Sequence, residues 1–253
     1  MAHKEFDRTR LELRPLAERK HDLDLSSVLP LTESLYVHET MLRVGEAIVR
    51  ARRAGAPVIL MMGAHVIRSG VQRFLIDLME QGYITCLAVN GAMLIHDFEL
   101  ALIGATTESV SKYIAEGQFG LWKETGEIND IVVRGVAEGM GLGEAVGKHI
   151  AEKDLPHAAF SVAAAAWKNE VLLTSHIGIG YDIIHEHPNM DPAAFGIASY
   201  RDFLRFAHVL QGLEGGVVMN FGSAVMGPEI FLKGLAMSRN VARQRGQSIT
   251  AFT

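Results

Sequence analysis

The stretch that decides the fold is Pro57–Val89, PVILMMGAHVIRSGVQRFLIDLMEQGYITCLAV. Its opening run, Pro57–Met62, is continuously apolar and bounded by Gly63, the pattern of a strand buried on both faces of a parallel sheet. Ser69–Gln81 then repeats apolar residues at helical spacing and stops at Gly82, and Tyr83–Val89 is rich in β-formers. Strand, loop, helix and strand in this order make a βαβ unit, which closes a parallel pair with a right-handed crossover. Similar pieces recur, so the chain reads as α/β: a doubly wound, mostly parallel sheet with helices on both faces.

Upstream, His38–Ala54 is an amphipathic helix stopped by Gly55, and residues 1–37 form a polar lead to a single α/β unit over 38–253. Downstream, His96–Ile103 continues as a helix, Thr106–Glu127 reads as a loop-rich insertion, and Asn129–Ile150 as one helix interrupted by glycines. Ser161–Trp167 predicts a helix, Val171–Ser175 a strand, Tyr200–Gly212 a helix and Gly216–Asn220 a strand. Pro228–Asn240 is the last helix, and Ser248–Phe252 starts a terminal strand.

Composition narrows the function classes. With 24 Lys and Arg against 29 Asp and Glu the 253-residue chain carries a net charge of −5, which disfavours nucleic acid as a partner. The mean hydropathy of +0.17 is too high for a disordered chain. No apolar stretch approaches the ~20 residues of a bilayer span, and the charged start has no signal-like apolar region. The single cysteine, Cys86, excludes an intramolecular disulfide and a Cys-based zinc cluster and fits a reducing, cytoplasmic setting. The eleven histidines are the unusual feature, six of them at or after position 149.

In a doubly wound sheet, ligands bind beyond the carboxyl ends of the strands. Four loops leave such ends: one with Gly63, Ser69 and Gly70; one with Asn90 and Gly91; one with His176, Gly178, Gly180 and Asp182; and one with Gly222 and Ser223. All mix glycine, which lets a backbone approach a ligand, with small polar residues, and helix N-termini after such turns favour phosphate. Together they predict one shared, phosphate-bearing ligand. His96, Asp97 and His176 are the candidates for acid–base work near it. His176, Asp182, His185 and His187 also offer metal-ligand chemistry, and a metal-dependent hydrolase is the rival reading; the favoured site holds no metal.

At these loops the sequence resembles the deoxyhypusine synthase-like superfamily, in SGVQRFLIDLMEQGYITCLAVNGAMLIHDFELALIG, TSHIGIGYDIIH and GVVMNFGSAVMGPEIFLKGLAM. The resemblance, spread over most of residues 38–245, implies a Rossmann-like fold, NAD as cofactor, and a homo-oligomer, dimer or tetramer. It implies that Ser69, Asn90, Gly91, Glu99 and Asp182 contact NAD. The family's catalytic lysine follows its last Gly-rich turn and helix, whereas this sequence has no lysine after Lys233. The expectation is therefore hydride transfer on an amine or amino-acid substrate through an imine, or a non-catalytic nucleotide-binding protein. Asn90-Gly91-Ala92, His96-Asp97-x-Glu99 and Ala101-Leu102-x-Gly104 also resemble the NAD-binding C-terminal domain of arginine-catabolic, ornithine cyclodeaminase-type enzymes.

Overall fold

A computed structural model of the chain describes residues 3–33 and 37–253. In chain order the elements are β1 (Leu23–Asp24), α1 (Glu39–Ala54), β2 (Val58–Met62), α2 (His65–Arg68), α3 (Gln72–Glu80), β3 (Cys86–Asn90), α4 (Gly91–Ile103) and β4 (Ala105–Thr106). They continue with α5 (Val110–Ala115), α6 (Glu127–Ala137), α7 (Leu142–Glu152), α8 (Val162–Lys168), β5 (Leu172–His176), α9 (Pro192–Leu210), β6 (Val217–Phe221) and α10 (Met226–Gln244).

Four strands form a parallel sheet in the order β5-β3-β2-β6. All five residues of β2 are buried, as its unbroken apolar run requires. Alternate side chains face opposite layers. Leu60 and Met62 pack with Leu87 and Val89 against helices that include α4 and α8. Ile59 and Met61 pack with Cys86 and Ala88 against Phe206 and Leu210 of α9 and Leu235 of α10. Each large aliphatic side chain so buried contributes roughly 1.5–3 kcal/mol. This is the doubly wound, Rossmann-like architecture expected from the sequence. The chain steps outward through β2, β3 and β5, then crosses by α9 to β6 on the other side of β2, so the direction of winding reverses between β2 and β6.

Several boundaries differ from expectation for identifiable reasons. The span 129–150 is two helices, because the chain turns at Glu138–Gly141, where Gly139 adopts φ +82°. Helix α9 begins at Pro192 instead of Tyr200; Asp191 caps it by accepting from the N–H groups of Ala193 and Ala194. Residues 248–252 form no regular strand, yet the terminal segment lies along β6, with Val218 N–H donating to Thr253 O at 2.8 Å and Thr253 N–H to Gly216 O at 3.0 Å. The span 106–127, expected as a loop-rich insertion, begins in β4 and contains α5.

The described part of the polar lead straps across the body. β1 pairs antiparallel with β4, Leu16 is buried with Tyr113 and Trp122, and Leu29 N–H donates to Gly70 O at 2.8 Å. Among the described residues, no helix is long and apolar enough to cross a membrane.

Candidate functional site

Because the four strands are parallel, their carboxyl ends share one edge of the sheet. The loops after β2 and β6 touch there: Gly63 N–H donates to Phe221 O at 3.0 Å, and a Cβ at Gly63 would run into the carbonyl of Gly222. Glycine is required at this contact, which lies where the winding reverses. At the end of β3, Asn90 caps α4 by accepting from Met93 N–H at 3.1 Å, and the Asp182 carboxylate lies directly on Gly91, at the first turn of the helix.

A cavity of about 320 Å³ opens beside this point. Its polar wall brings together Arg19, Arg68, His96, Glu99, Glu108 and Asp182, with the buried hydroxyl-bearing Thr107; Ile95, Val110 and Phe119 form its apolar wall. A larger groove of about 650 Å³ lies along α7, α8 and the start of β5, lined mainly by small apolar residues such as Gly143, Gly147, Ala163 and Ala166. It is away from the carboxyl edge, so volume does not decide the site here; the convergence of ionisable groups does.

The protonation states follow from burial. His96 is pushed down to about 4, first by desolvation, with Arg68, Arg19 and His65 adding to the depression and Glu99 opposing it. Its ring is neutral near pH 7. Burial raises Asp182 to about 6, and it raises Glu108 as well, against donation from Trp122 and Gly120. Trp122 Nε1–H reaches Glu108 at 2.7 Å and Gly120 N–H at 3.0 Å. Arg19 forms a two-pronged ion pair with Glu99, at 2.9 and 2.6 Å, fully enclosed. Thr106 Oγ1 donates to Glu99 at 2.7 Å and lies 2.8 Å from His96 Nδ1, and Thr125 Oγ1 donates to Glu99 at 2.7 Å.

Of the residues singled out from the sequence, the cavity gathers His96, Glu99 and Asp182, while Asn90 and Gly91 start the helix that carries His96 and Glu99, with Gly91 against Asp182. Glu99 is not free to meet a ribose, since Arg19, Thr106 and Thr125 occupy its oxygens. Asp97 points away into the core, where it accepts from Ser161 Oγ at 2.5 Å and from Val162 and Ala163 N–H at 2.8 and 3.0 Å, capping α8. That explains its burial better than acid–base catalysis does, and a carboxylate held by three donors keeps a pKa of only about 6 despite full desolvation. His176 is likewise packed, its Nε2 3.0 Å from Thr174 Oγ1 and its ring edge-on to Phe206.

Ser69 Oγ–H closes the end of α2 on Val66 O, and Gly70, at φ +80°, is needed because Ser27 O of the strap lies against it. Gly178 sits under the Tyr181 ring, Gly180 turns the same loop at φ +94°, and Ser223 Oγ accepts from Gly227 N–H at the start of α10. The rival metal set is dispersed: His185 Nδ1 accepts from Gly180 and Asp182 N–H, while His187 is buried 2.8 Å from Gly120 O. Among the described residues, no three His, Cys, Asp or Glu side chains gather as a metal site.

Sequence reasoning missed Arg19, Arg68, Thr107 and Glu108. Arg68 does follow β2, so position alone could have found it. The other three come from the strap and from the turn after β4, which carry no strand-end signal.

Residues 42–157 match a family model described as arginine dihydrolase ArgZ-like, C-terminal, Rossmann fold. Unliganded AgrE matches with 17% identity and a TM-score of 0.52, over 83% of this chain and 27% of AgrE. An AgrE mutant with L-arginine gives 16%, 0.50, 81% and 28%, and the ternary complex of AgrE with ornithine and NAD+ gives 16%, 0.48, 83% and 27%. A putative deoxyhypusine synthase from Entamoeba histolytica matches with 11% identity and a TM-score of 0.40, over 72% of this chain and 76% of that one. No curated protein matches the chain. The chain spans about a quarter of the length of the AgrE structures, so they speak for the fold alone. Residues 42–157, the span similar to the ArgZ-like C-terminal Rossmann family model, hold β2, β3, α4 and much of the cavity wall.

Proposed function

We propose that the chain binds NAD along the carboxyl edge of its sheet and oxidises an amine or amino acid held in the adjoining cavity. The observation that carries this reading is the convergence of Arg68 from α2, His96 from α4 and Asp182 from the loop after β5 on one chamber beside the start of α4. The chain's residues suit the cofactor. Backbones meet at Gly63 and Gly222 where the winding reverses, two long helices begin at this edge, and Asp182 sits at the end of β3 as an acceptor for ribose hydroxyls.

When bound, NAD supplies the acceptor for the hydride leaving the carbon that bears nitrogen, so that the substrate becomes an iminium ion. The protein positions the substrate and moves the proton. Arg68 is the cavity cation for a substrate carboxylate, and Glu108 keeps lone pairs for an ammonium group beyond the bonds it accepts from Trp122 and Gly120. His96, neutral near pH 7, takes the ammonium proton at Nε2 and so frees the nitrogen lone pair that drives hydride departure. The apolar wall of Ile95, Val110 and Phe119 limits water around the iminium carbon.

Calorimetric titration with NAD is the test. Binding is expected, with Asp182→Asn weaker by roughly tenfold, the cost of a charge-assisted hydrogen bond. Wild-type affinity should fall as the pH drops below about 6, where Asp182 gains a proton and loses acceptor capacity. Absence of NAD binding by the wild-type chain sinks the proposal.

A further inference from the structure

We propose that Arg19, Glu99 and Thr106 form a buried positioning chain that holds His96 in its Nδ1–H tautomer and leaves Nε2 as the proton acceptor in the cavity. A threonine hydroxyl has one hydrogen to give. Thr106 Oγ1 lies 2.7 Å from Glu99 Oε2 and 2.8 Å from His96 Nδ1. Glu99 accepts from four donors, Arg19 Nη1 and Nη2, Thr106 Oγ1 and Thr125 Oγ1, and is paired with a guanidinium, so it has no proton to return. The Thr106 hydrogen therefore points to Glu99, and its oxygen must accept from His96. That places the ring hydrogen on Nδ1.

The assembly is rigid as well as satisfied. Arg19, Glu99, Thr106 and Thr125 are each at most 4% exposed, and the Arg19 Nε–H donates onward to His21 Nδ1 at 3.1 Å. Its parts come from four places: the strap, α4, β4 and the turn before α6. No single motif in the sequence spans them. The charged groups around His96 are Glu99, Arg68, Arg19 and His65, with Asp182 and Glu108 on the same cavity wall.

The tautomer stands independently of the reaction; its catalytic use rests on the function proposed above. In that reaction an ammonium N–H bond breaks, its proton goes to His96 Nε2, and the resulting imidazolium still donates from Nδ1 to Thr106. These are positioning residues, acting on the substrate only through His96.

The experiment is long-range ¹H–¹⁵N correlation on the unliganded, uniformly ¹⁵N-labelled chain at pH 7–8, with His96 assigned by His96→Gln. The wild type should show a protonated Nδ1 and an unprotonated Nε2. Thr106→Val, which keeps the shape and β-propensity of a strand residue but has no hydroxyl, should lose this preference, and Thr106→Ser should retain it. A wild-type Nε2–H tautomer, or an unchanged tautomer in Thr106→Val, overturns the proposal. In NAD reduction with an amine substrate, Thr106→Val should lower kcat by about 10- to 100-fold, less than the roughly 10²–10⁴-fold of losing a general base outright because His96 itself remains, with KM changed less than about threefold, and Ser should restore kcat. If no variant reduces NAD while the tautomers behave as stated, the oxidation reading falls and the positioning chain stands.

Discussion

At Thr107 the backbone adopts φ +64°, a conformation that costs a residue with a Cβ roughly 1–2 kcal/mol and is rarer still for a β-branched one. The same residue is 8% exposed, lines the cavity, and has a buried Oγ1 with no hydrogen-bond partner among the described residues. Strain and an unmet hydroxyl at one position are costs that packing alone does not explain. Both fit a donor held ready for a ligand. Thr107→Gly is therefore expected to leave stability unchanged or raise it by up to about 1 kcal/mol, as relief of strain offsets the extra freedom of glycine in the unfolded chain. Substrate KM should rise at the same time. A clear drop in the urea midpoint would show that the turn needs the threonine for structure.

At the scale of elements, Asp202 of α9 joins three pieces. Its Oδ2 accepts from Gly143 N–H at the start of α7, 3.0 Å away, and from Ser175 N–H of the edge strand β5 at 2.8 Å. A Cβ at Gly141 would collide with the same carboxylate, so the turn between α6 and α7 is glycine for lack of room. Burial raises Asp202 to about 7, despite the donors that oppose it. The folded state thus holds this proton more tightly than the unfolded one, whose carboxyl ionises near the usual 3.8. The stability linked to it is complete below about pH 4 and is lost as pH rises through about 7. Asp202→Asn, which cannot ionise, should gain on the wild type between pH 5 and pH 8 in urea denaturation, whatever its stability at either end. A constant difference between the two proteins would mean that Asp202 does not titrate in this range. The elements themselves were largely legible, because β2 and α1 are shaped by local pattern: an unbroken run of VILMM, and a helix ended by Gly55 at φ +68°. The turn between α6 and α7 was not, since its cause is a carboxylate about sixty residues away in sequence. The same holds for the site. Asn90, His96 and Asp182 follow strands and could be read in place, whereas Asp97 and Glu99 looked equally available and are occupied by Ser161 and Arg19, partners that only the tertiary fold reveals.

At the scale of the whole molecule, the strap and the sheet enclose one another. The strap contributes Leu16 to the Trp122 cluster and Arg19 to the cavity wall, while the central strands lie between two helical layers. Cys86, the only cysteine, is the first residue of β3, fully buried, with its thiol pushed up to about 12 by desolvation and by the nearby Asp202. That sulfur lies under the layer of α9 and α10, in the cluster with Phe206, Leu210 and Leu235, so that layer has to lift from the sheet before solvent reaches it. Alkylation of the unmodified chain therefore works as a clock with one hand, and its rate measures how often that layer lifts from the sheet. Saturating NAD should slow the clock by the factor 1 + [NAD]/Kd if it binds only the closed sheet. A rate indifferent to NAD would count against that coupling. A thiol with no place in the chemistry then becomes a means of weighing the ligand from the far side of the fold.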